Sequence, residues 1–317
     1  MKTLNSIVVL LITAILFISC SSDDDGSGST TSSLELNTPA LTTDAAFSKR
    51  RGHKSVYFNN KLWVIGGDDG SLRNDIWSST DGITWTQDVI SASFSARSNF
   101  TLTEFNNKLW IIGGVGATND IVWSSSDGLI WSQVVSQPLL TRNNHSAFVY
   151  DNKLWVVGGN KNNNNRNDVL HSSDGVSWTV ASDNAAFSPR LSHSSIIYDN
   201  KMWVIAGLDN SGSKNDIWYS TDGSNWIEAS SSAAFPIRAL HESVVFDNKM
   251  WVISGIGNSI QNSAWYSSDG STWREAINNI DYDLRWDFSA VAANNKIYAI
   301  GGSTLGSGYL NDVWVLD

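Results

Sequence analysis

Six copies of one pattern of apolar and polar residues run along the chain, and the fourth copy illustrates it. Residues 194–198 are predicted to form the first strand, which ends at the triplet DNK, where asparagine tolerates the positive φ of a tight hairpin turn. Residues 201–205 follow as a nearly continuous apolar run, which is typical of a strand covered on both faces. Beyond a polar loop, the runs NDIWYS and NWIEA flank the turn residues TDG. The pattern predicts four antiparallel strands in each copy.

An arginine precedes the first strand of every copy, and a glycine pair or a near equivalent ends the second strand. The six arginines are Arg50, Arg97, Arg142, Arg190, Arg238 and Arg285. A period near 50 residues with four strands in each repeat is typical of β-propeller blades. We therefore expect an all-β fold, a six-bladed β-propeller built of four-stranded antiparallel blades.

The sixth copy reaches Asp317 just after its third strand. Thr38, at the end of the short segment Leu34–Thr38, lies as far before Arg50 as the fourth-strand Trp178 lies before Arg190. We predict that this N-terminal strand completes the last blade and closes the ring. Closure would remove a sheet edge that otherwise invites aggregation.

Fifteen of the sixteen tryptophans recur at fixed positions on the second, third and fourth strands, as Trp203, Trp218 and Trp226 do in the fourth copy. Large rings at repeated positions are expected to pack within and between blades, and stacking on a carbohydrate is the alternative for any one of them. Trp286 stands outside this pattern, beside Arg285.

The N-terminus carries an apolar run over residues 7–18 that is too short to span a bilayer permanently, followed by Cys20. The stretch LFISC resembles the lipobox of bacterial lipoproteins, in which the cysteine bears the lipid; an ordinary signal peptide with a stray cysteine is the alternative. We predict a signal peptide over residues 1–19, a lipidated, flexible acidic tether over 20–33 and the propeller over 34–317.

The acidic triplet at residues 23–25 resembles the export signal of surface lipoproteins of Bacteroidota. The resemblance implies an outer-membrane lipoprotein that faces the cell exterior, and a plain spacer with periplasmic orientation is the alternative. The membrane contact is expected through the lipid on Cys20 alone.

The charge of the chain limits the classes of molecule that it can bind. The formal net charge is −10 and the basic residues, apart from residues 49–51, are scattered singly, so the chain lacks the large clusters of cations that bind phosphate backbones. We predict no nucleic-acid partner.

The glycine doublet, the arginine before the first strand, the ND before the third strand and the tryptophan of the fourth strand together resemble kelch repeats, from about Leu34 to Asp317. The departures from the pattern are Ala206 and Ser254 for the first glycine, Leu170 for a third-strand tryptophan and Ser263 for an aspartate. The STDGSNW hairpin is similar to the Asp-box of sialidases, but its Asp and Gly are adjacent, so we interpret it as a turn. The kelch resemblance implies a binding scaffold, although some kelch propellers are enzymes.

Two enzyme classes follow from that resemblance. Galactose oxidases need copper and a tyrosine cross-linked to a cysteine, and Cys20 is the single cysteine, so that chemistry is excluded. N-acetylneuraminate epimerases stay open as the alternative. No acid and base pair stands out, and Glu104 and Glu242, which break the first-strand pattern, are the candidates if catalysis exists.

Several residues on the expected loop face are candidates for binding. The repeated arginines could form a cationic ring, or they could serve the architecture by hydrogen-bonding backbone carbonyls. The four histidines at one repeated position are interpreted as structural rather than as metal ligands, because phenylalanine takes their place in two copies. They are His53, His145, His193 and His241.

Deviations from the repeat are the more specific signals. Trp286 and Tyr309, with the arginines nearby, suit a sugar or a peptide, although Trp286 could simply fill a loop. Arg73 and Arg166 lie in variable loops, whose Asn and Asp residues make Ca²⁺ possible; no other cofactor is predicted. We expect a surface-exposed, lipid-anchored scaffold that recognises a glycan or a protein through its loop face, with the epimerase-like enzyme as the alternative.

Overall fold

The computed structural model describes residues 40–117, 121–134, 140–306 and 308–316. Within these ranges the chain forms strands, turns and loops, without an α-helix. No helix in the described ranges has the length and apolar character needed to cross a bilayer.

Six antiparallel sheets follow one another along the chain as six blades. Blade 1 holds β1 (Lys54–Phe58), β2 (Lys61–Asp68), β3 (Leu72–Ser79) and β4 (Thr86–Val89); blade 2 holds β5 (Thr101–Phe105), β6 (Lys108–Ile112), β7 (Val122–Ser125) and β8 (Ser132–Val134); blade 3 holds β9 (Ser146–Tyr150), β10 (Lys153–Lys161), β11 (Asn164–Ser172) and β12 (Thr179–Ser182). Blade 4 holds β13 (Ser194–Tyr198), β14 (Lys201–Asp209), β15 (Gly212–Ser220) and β16 (Ile227–Ser230); blade 5 holds β17 (Glu242–Phe246), β18 (Lys249–Ile253), β19 (Ala264–Ser267) and β20 (Arg274–Ile277); blade 6 holds β21 (Ser289–Ala293), β22 (Lys296–Thr304) and β23 (Gly308–Leu316). The predicted six-bladed propeller is confirmed.

The first strands of the six blades line the axis. Each first strand contacts the first strands of both neighbouring blades, and β21 contacts β1, so the ring is closed around a central channel. Each first strand then turns into the second strand through two residues with positive φ, such as Asn59 and Asn60. This geometry is the one that Asn-rich two-residue hairpins favour, as the sequence predicts.

The glycine doublets allow close contact with two rings of side chains. A Cβ added at Gly66 would lie 3.1 Å from Phe100 Cε1 of the next blade, and one added at Gly67 would lie 2.8 Å from His53 Cβ of the same blade. Both glycines have positive φ. The first glycine of the doublet therefore allows close packing between blades, and the second allows close packing within its own blade.

The repeated tryptophans form the seams between blades. All fifteen are buried or half-buried, and Trp203 on β14 is 2% exposed. The second-strand ring of one blade packs against the turn glycine of the next, as Trp203 does against Gly270. The tryptophan just before the fourth strand caps the same turn with its indole N–H, as Trp273 Nε1 does by donating to Gly270 O at 3.0 Å. Packing, rather than exposure for stacking, explains these rings.

The last blade has three strands within the described residues, and the predicted fourth strand at Leu34–Thr38 lies outside them. The described chain just after that segment borders β23. Thr42 pairs with Val313, and the side chain of Asn311 donates to Ala45 O and Phe47 O at 2.8 and 3.2 Å. Residues that precede blade 1 therefore hold the outer side of blade 6.

Candidate functional site

Two sets of loops form one face of the propeller, which we call the upper face: those that lead into the first strands and those that join second to third strands. In each blade, two backbone hydrogen bonds link the residue after the repeated arginine to the residue after the glycine doublet. We call these the rim pairs: Arg51–Asp68, Ser98–Val115, Asn143–Asn160, Leu191–Leu208, Ala239–Ile256 and Trp286–Ser303. They are equivalent positions, so they can be compared blade by blade.

The repeated arginines lie beneath the rim and are at most 3% exposed. Arg190 shows the arrangement: Nη1 and Nη2 donate to the two carboxylate oxygens of Asp216, both at 2.7 Å, and Nη1 also donates to Ala206 O at 2.8 Å. The same fork joins Arg50 to Asp75, Arg142 to Asp168 and Arg285 to Asp312.

This burial corrects the idea of a cationic binding ring. A guanidinium enclosed by its own blade presents no charge to a partner, so the architectural alternative is the one that the geometry supports. The correction applies to Arg50, Arg97, Arg142, Arg190, Arg238 and Arg285.

The repeated histidines are likewise interior groups. A Cβ added at Gly158 would lie 3.0 Å from His193 Cε1 of the next blade, and Phe100 takes the same place against Gly66. Burial lowers the pKa of His193 and of His53 to about 3, so these rings are neutral at physiological pH. A neutral packed ring fits the structural interpretation.

The chemistry of the rim divides the upper face. Blades 1 and 3 carry Arg–Asp and Asn–Asn rim pairs, whereas blade 4 carries Leu–Leu, blade 5 Ala–Ile and blade 6 Trp–Ser; Val115 of blade 2 is an apolar exception on the polar half. Blade 6 adds Leu284 and Leu305, which are 40% and 69% exposed. We call the following set the apolar rim: Leu191, Leu208, Ile256, Leu284, Trp286 and Leu305.

Trp286 and Tyr309 lie on either side of Ser303 on the rim of blade 6, and Tyr309 borders blade 1. Trp286 pairs with Ser303, which in turn pairs with Tyr309 in the β22–β23 ladder. The guanidinium of Arg51 lies 5.4 Å from the Tyr309 ring centroid and 3.4 Å from Asp68 Oδ2. The structure thus places the two aromatic residues that the sequence selected on the rim of the same blade, and it adds a half-exposed arginine beside Tyr309.

The mouth of the channel is a closed ring of backbone hydrogen bonds. In each blade one N–H donates to a carbonyl of the preceding blade at 2.8 to 3.0 Å. The residues are Gly52, Asn99, Asn144, Ser192, Leu240 and Asp287, all with positive φ. Asn99 Nδ2 also donates to Asn144 Oδ1 and to Asp287 Oδ1, both at 3.1 Å. These bonds fix the six loops at the axis.

Below this ring, a cavity of about 200 Å³ contains a charged cluster. Lys54 Nζ donates to Glu242 Oε1 at 3.2 Å across the small Ser289 of the intervening blade. Burial raises the pKa of Glu242, and it raises that of Asp287 to about 6 although Lys54 opposes it. For Lys54, burial acts to lower the pKa, but the carboxylates of Glu242 and Asp287 outweigh it and raise the pKa.

Comparison with protein families agrees with this geometry. A family model described as the KLHDC2/KLHL20/DRC7 Kelch-repeats domain matches residues 99–282, more than half of the chain. The chain belongs to the kelch-repeat family. A Kelch motif model matches residues 285–317 of the same propeller, and a model described as the DUF6242 beta propeller domain matches residues 38–143. No curated protein matches the chain. Kelch propellers commonly serve as binding scaffolds and generally mediate protein binding.

The two acids selected from the sequence of this kelch propeller are not brought together. Glu242 lines the channel, whereas Glu104 is exposed and lies three residues farther along its first strand than Thr101, the counterpart of Glu242. Sequence reasoning missed Lys54 and Asp287. Comparison of equivalent positions could have found them, because Lys54 is the single cation among the six residues that begin the first strands.

Arg73 and Arg166 do not lie in loops, as the sequence predicted, but near the upper ends of β3 and β11, with side chains 48% and 42% exposed. Arg73 Nε donates to Asp69 Oδ2 at 2.7 Å, and Arg166 Nη2 lies 3.7 Å from Asp168 Oδ2. The guanidinium groups are therefore half-exposed, whereas the carboxylates that they contact are buried, with side chains 8% and 9% exposed.

Two further predictions have no direct counterpart in the described part of the chain. Cys20, the predicted lipidation site, lies outside it. Within it, no group of three or more His, Cys, Asp or Glu side chains could hold a metal ion. Ca²⁺ binding stays a prediction.

Proposed function

We propose that this kelch propeller is a lipid-anchored binding scaffold on the outer face of a Gram-negative cell, and that it recognises a protein partner through the apolar rim. The lipobox-like LFISC and the acidic triplet after Cys20 support the anchor and its orientation. The kelch family supports the role of a scaffold.

The observation that carries the proposal is the one-sided distribution of apolar side chains on the rim. Equivalent positions in blades 4, 5 and 6 carry leucine, isoleucine and tryptophan, whereas blades 1 and 3 carry charged or amide groups and Val115 of blade 2 is the exception. Grouped exposed apolar residues on a soluble surface mark interaction sites, and tryptophan, tyrosine and arginine dominate the energetics of protein interfaces. Trp286, Tyr309 and Arg51 supply that set at one end of the apolar rim.

A protein partner fits this surface better than a glycan does. Leu191, Leu208 and Ile256 offer no hydrogen bonds to sugar hydroxyls, whereas apolar side chains of a partner would be buried against them. A glycan would be limited to the aromatic end of the rim, at Trp286 and Tyr309.

Site-specific photo-crosslinking on intact cells tests the proposal. A benzoylphenylalanine in place of Leu305 lies on the apolar rim, and the matched control replaces Ile130, which is 75% exposed in the β7–β8 turn on the opposite face. We expect discrete crosslinked proteins from position 305 that are missing from position 130. Equal patterns from both positions would refute recognition through the apolar rim.

Two measurements separate the remaining parts of the proposal. A glycan array probed with the protein and with Trp286→Ala should show no specific binding; binding that depends on Trp286 would assign the rim to a carbohydrate instead. Protease treatment of intact cells should degrade the propeller. Protection until the outer membrane is breached would contradict surface display.

A further inference from the structure

One of the buried arginines, Arg238 of blade 5, has no carboxylate at the position where its counterparts contact an aspartate. In blades 1, 3, 4 and 6 the repeated arginine forks onto an aspartate of the third strand. In blade 5 that position is Ser263, and Arg238 Nη2 reaches Ser263 Oγ at 3.3 Å. A neutral hydroxyl therefore stands where a negative charge is expected.

Arg238 donates fewer hydrogen bonds than its counterpart in blade 4, Arg190. Arg190 donates five hydrogen bonds, two to the carboxylate of Asp216 and one to Ser188 Oγ among them. Arg238 donates three, at 3.1 Å to Pro236 O, at 2.9 Å to Ser254 O and at 3.3 Å to the hydroxyl of Ser263. Proline also replaces the serine at position 236, so two acceptor groups are removed at once. A donor on each terminal nitrogen of Arg238 is left for another acceptor.

The surrounding protein does not neutralise this guanidinium. Arg238 is 0% exposed, and burial lowers its pKa to about 10, so it is charged at neutral pH. No carboxylate of the described residues forms an ion pair with it; Glu275, whose charge acts to raise the pKa of Arg238, is exposed on β20. Burial raises the pKa of Tyr282, so that hydroxyl is neutral as well. An unpaired buried charge is strongly destabilising.

We propose that blade 5 binds a small monovalent anion, such as chloride or formate, between the terminal nitrogens of Arg238 and the indole N–H of Trp265. In blade 4 the equivalent indole, Trp218 Nε1, donates to the carboxylate of Asp216 at 2.8 Å. In blade 5 Trp265 Nε1 faces the same place and donates to Ser263 Oγ at 3.0 Å. The anion restores the charge and the acceptors that serine cannot supply.

The size and charge of the anion follow from the site. One guanidinium offers one positive charge, which favours a monovalent ion. The group that is replaced is a single carboxylate, and the neighbouring Phe235, Ser254 and Ser263 are all buried. A dianionic phosphate ester carries more charge than one guanidinium can balance.

Thermal unfolding at constant ionic strength tests the site. In the purified protein, replacing a bulky sulfonate by chloride from 1 to 100 mM should raise Tm by about 2–4 °C, with saturation, because the anion binds the folded state alone. Ser263→Asp should raise Tm without chloride and abolish the dependence. The matched control Ser268→Asp makes the same charge change at an exposed position of the next turn and should keep the dependence.

Two further readouts make the test decisive. Asp216→Ser should introduce the same chloride dependence in blade 4, and a bromide-soaked crystal should show an anomalous peak beside Arg238 that is lost in Ser263→Asp. Formate in place of chloride tells whether the site prefers a two-oxygen acceptor. A Tm that is independent of all small anions, together with no bromide peak at Arg238, would overturn the proposal.

Discussion

The indole ring of Trp155 in blade 3 packs directly over Gly223 in the β15–β16 turn of blade 4. A Cβ added at Gly223 would collide with Cζ3 of the Trp155 ring. The same contact recurs between Trp203 and Gly270 at the next seam. The repeated tryptophans and the DG turns are therefore two halves of one contact between blades.

Gly223→Ala should destabilise the propeller strongly, because the new methyl group collides with a buried ring that has no room to move. Gly306→Ala is the matched control: its φ is +82° against +76° at Gly223, yet nothing lies within 4 Å of the added Cβ. Urea unfolding should show a loss of stability for Gly223→Ala that exceeds that of the control by about 1–3 kcal/mol. Equal losses would mean that the backbone conformation alone requires the glycine.

Asp216→Asn should lower the free energy of unfolding by about 3–5 kcal/mol, since it leaves the guanidinium of Arg190 buried without a countercharge. The exposed Asp183→Asn makes the same change in net charge and should cost about 0.5 kcal/mol or less. Chemical denaturation of the two variants side by side checks this. Similar stabilities would show that the buried forks are dispensable.

Asp287→Asn should stabilise the protein at high pH. The pKa of Asp287 is raised from 3.8 to about 6, so between these values the unfolded chain releases a proton that the folded protein keeps, and stability falls as pH rises. The variant should exceed the wild type by roughly 2–3 kcal/mol at pH 8, and the difference should disappear near pH 4. A difference that is constant with pH would contradict the assigned shift.

Asn311→Ala should open the ring where the chain before blade 1 meets blade 6. The amide of Asn311 donates to the carbonyls of Ala45 and Phe47 there, at a distance of more than 260 residues along the chain. Asn167 is the matched control, because it donates to the equivalent carbonyls, Ala185 O and Phe187 O, which lie only 18 and 20 residues farther along the chain. Limited proteolysis should cleave the segment before Arg50 faster in Asn311→Ala, whereas equal cleavage in both variants would argue against closure at this point.

The blades could be predicted from the sequence repeat, because local sequence sets the positions of the strands, turns and tryptophans and these positions recur at a fixed period. The channel cluster was not predictable in the same way. Lys54, Glu242 and Asp287 come from blades 1, 5 and 6, and their contact depends on the curvature of the ring and on the small side chain of Ser289.

The arginines show a different limit of sequence reasoning. Their recurrence alone is compatible with a binding ring and with an architectural role. The decisive fact is the fork onto the aspartate of the ND pair, which lies 25 residues away for Arg50 and 26 for Arg190. Only the pairing of strands reveals that these two positions meet.

The most direct test of the account measures stability and recognition together in Trp286→Ala. We propose that the repeated residues build the propeller and that the irregular apolar rim binds the partner. We expect a stability loss of less than about 1 kcal/mol and at least a tenfold fall in crosslinking from position 305, against a loss of about 3–5 kcal/mol for Trp203→Ala. A Trp286→Ala protein that unfolds as readily as Trp203→Ala and still crosslinks fully would contradict it.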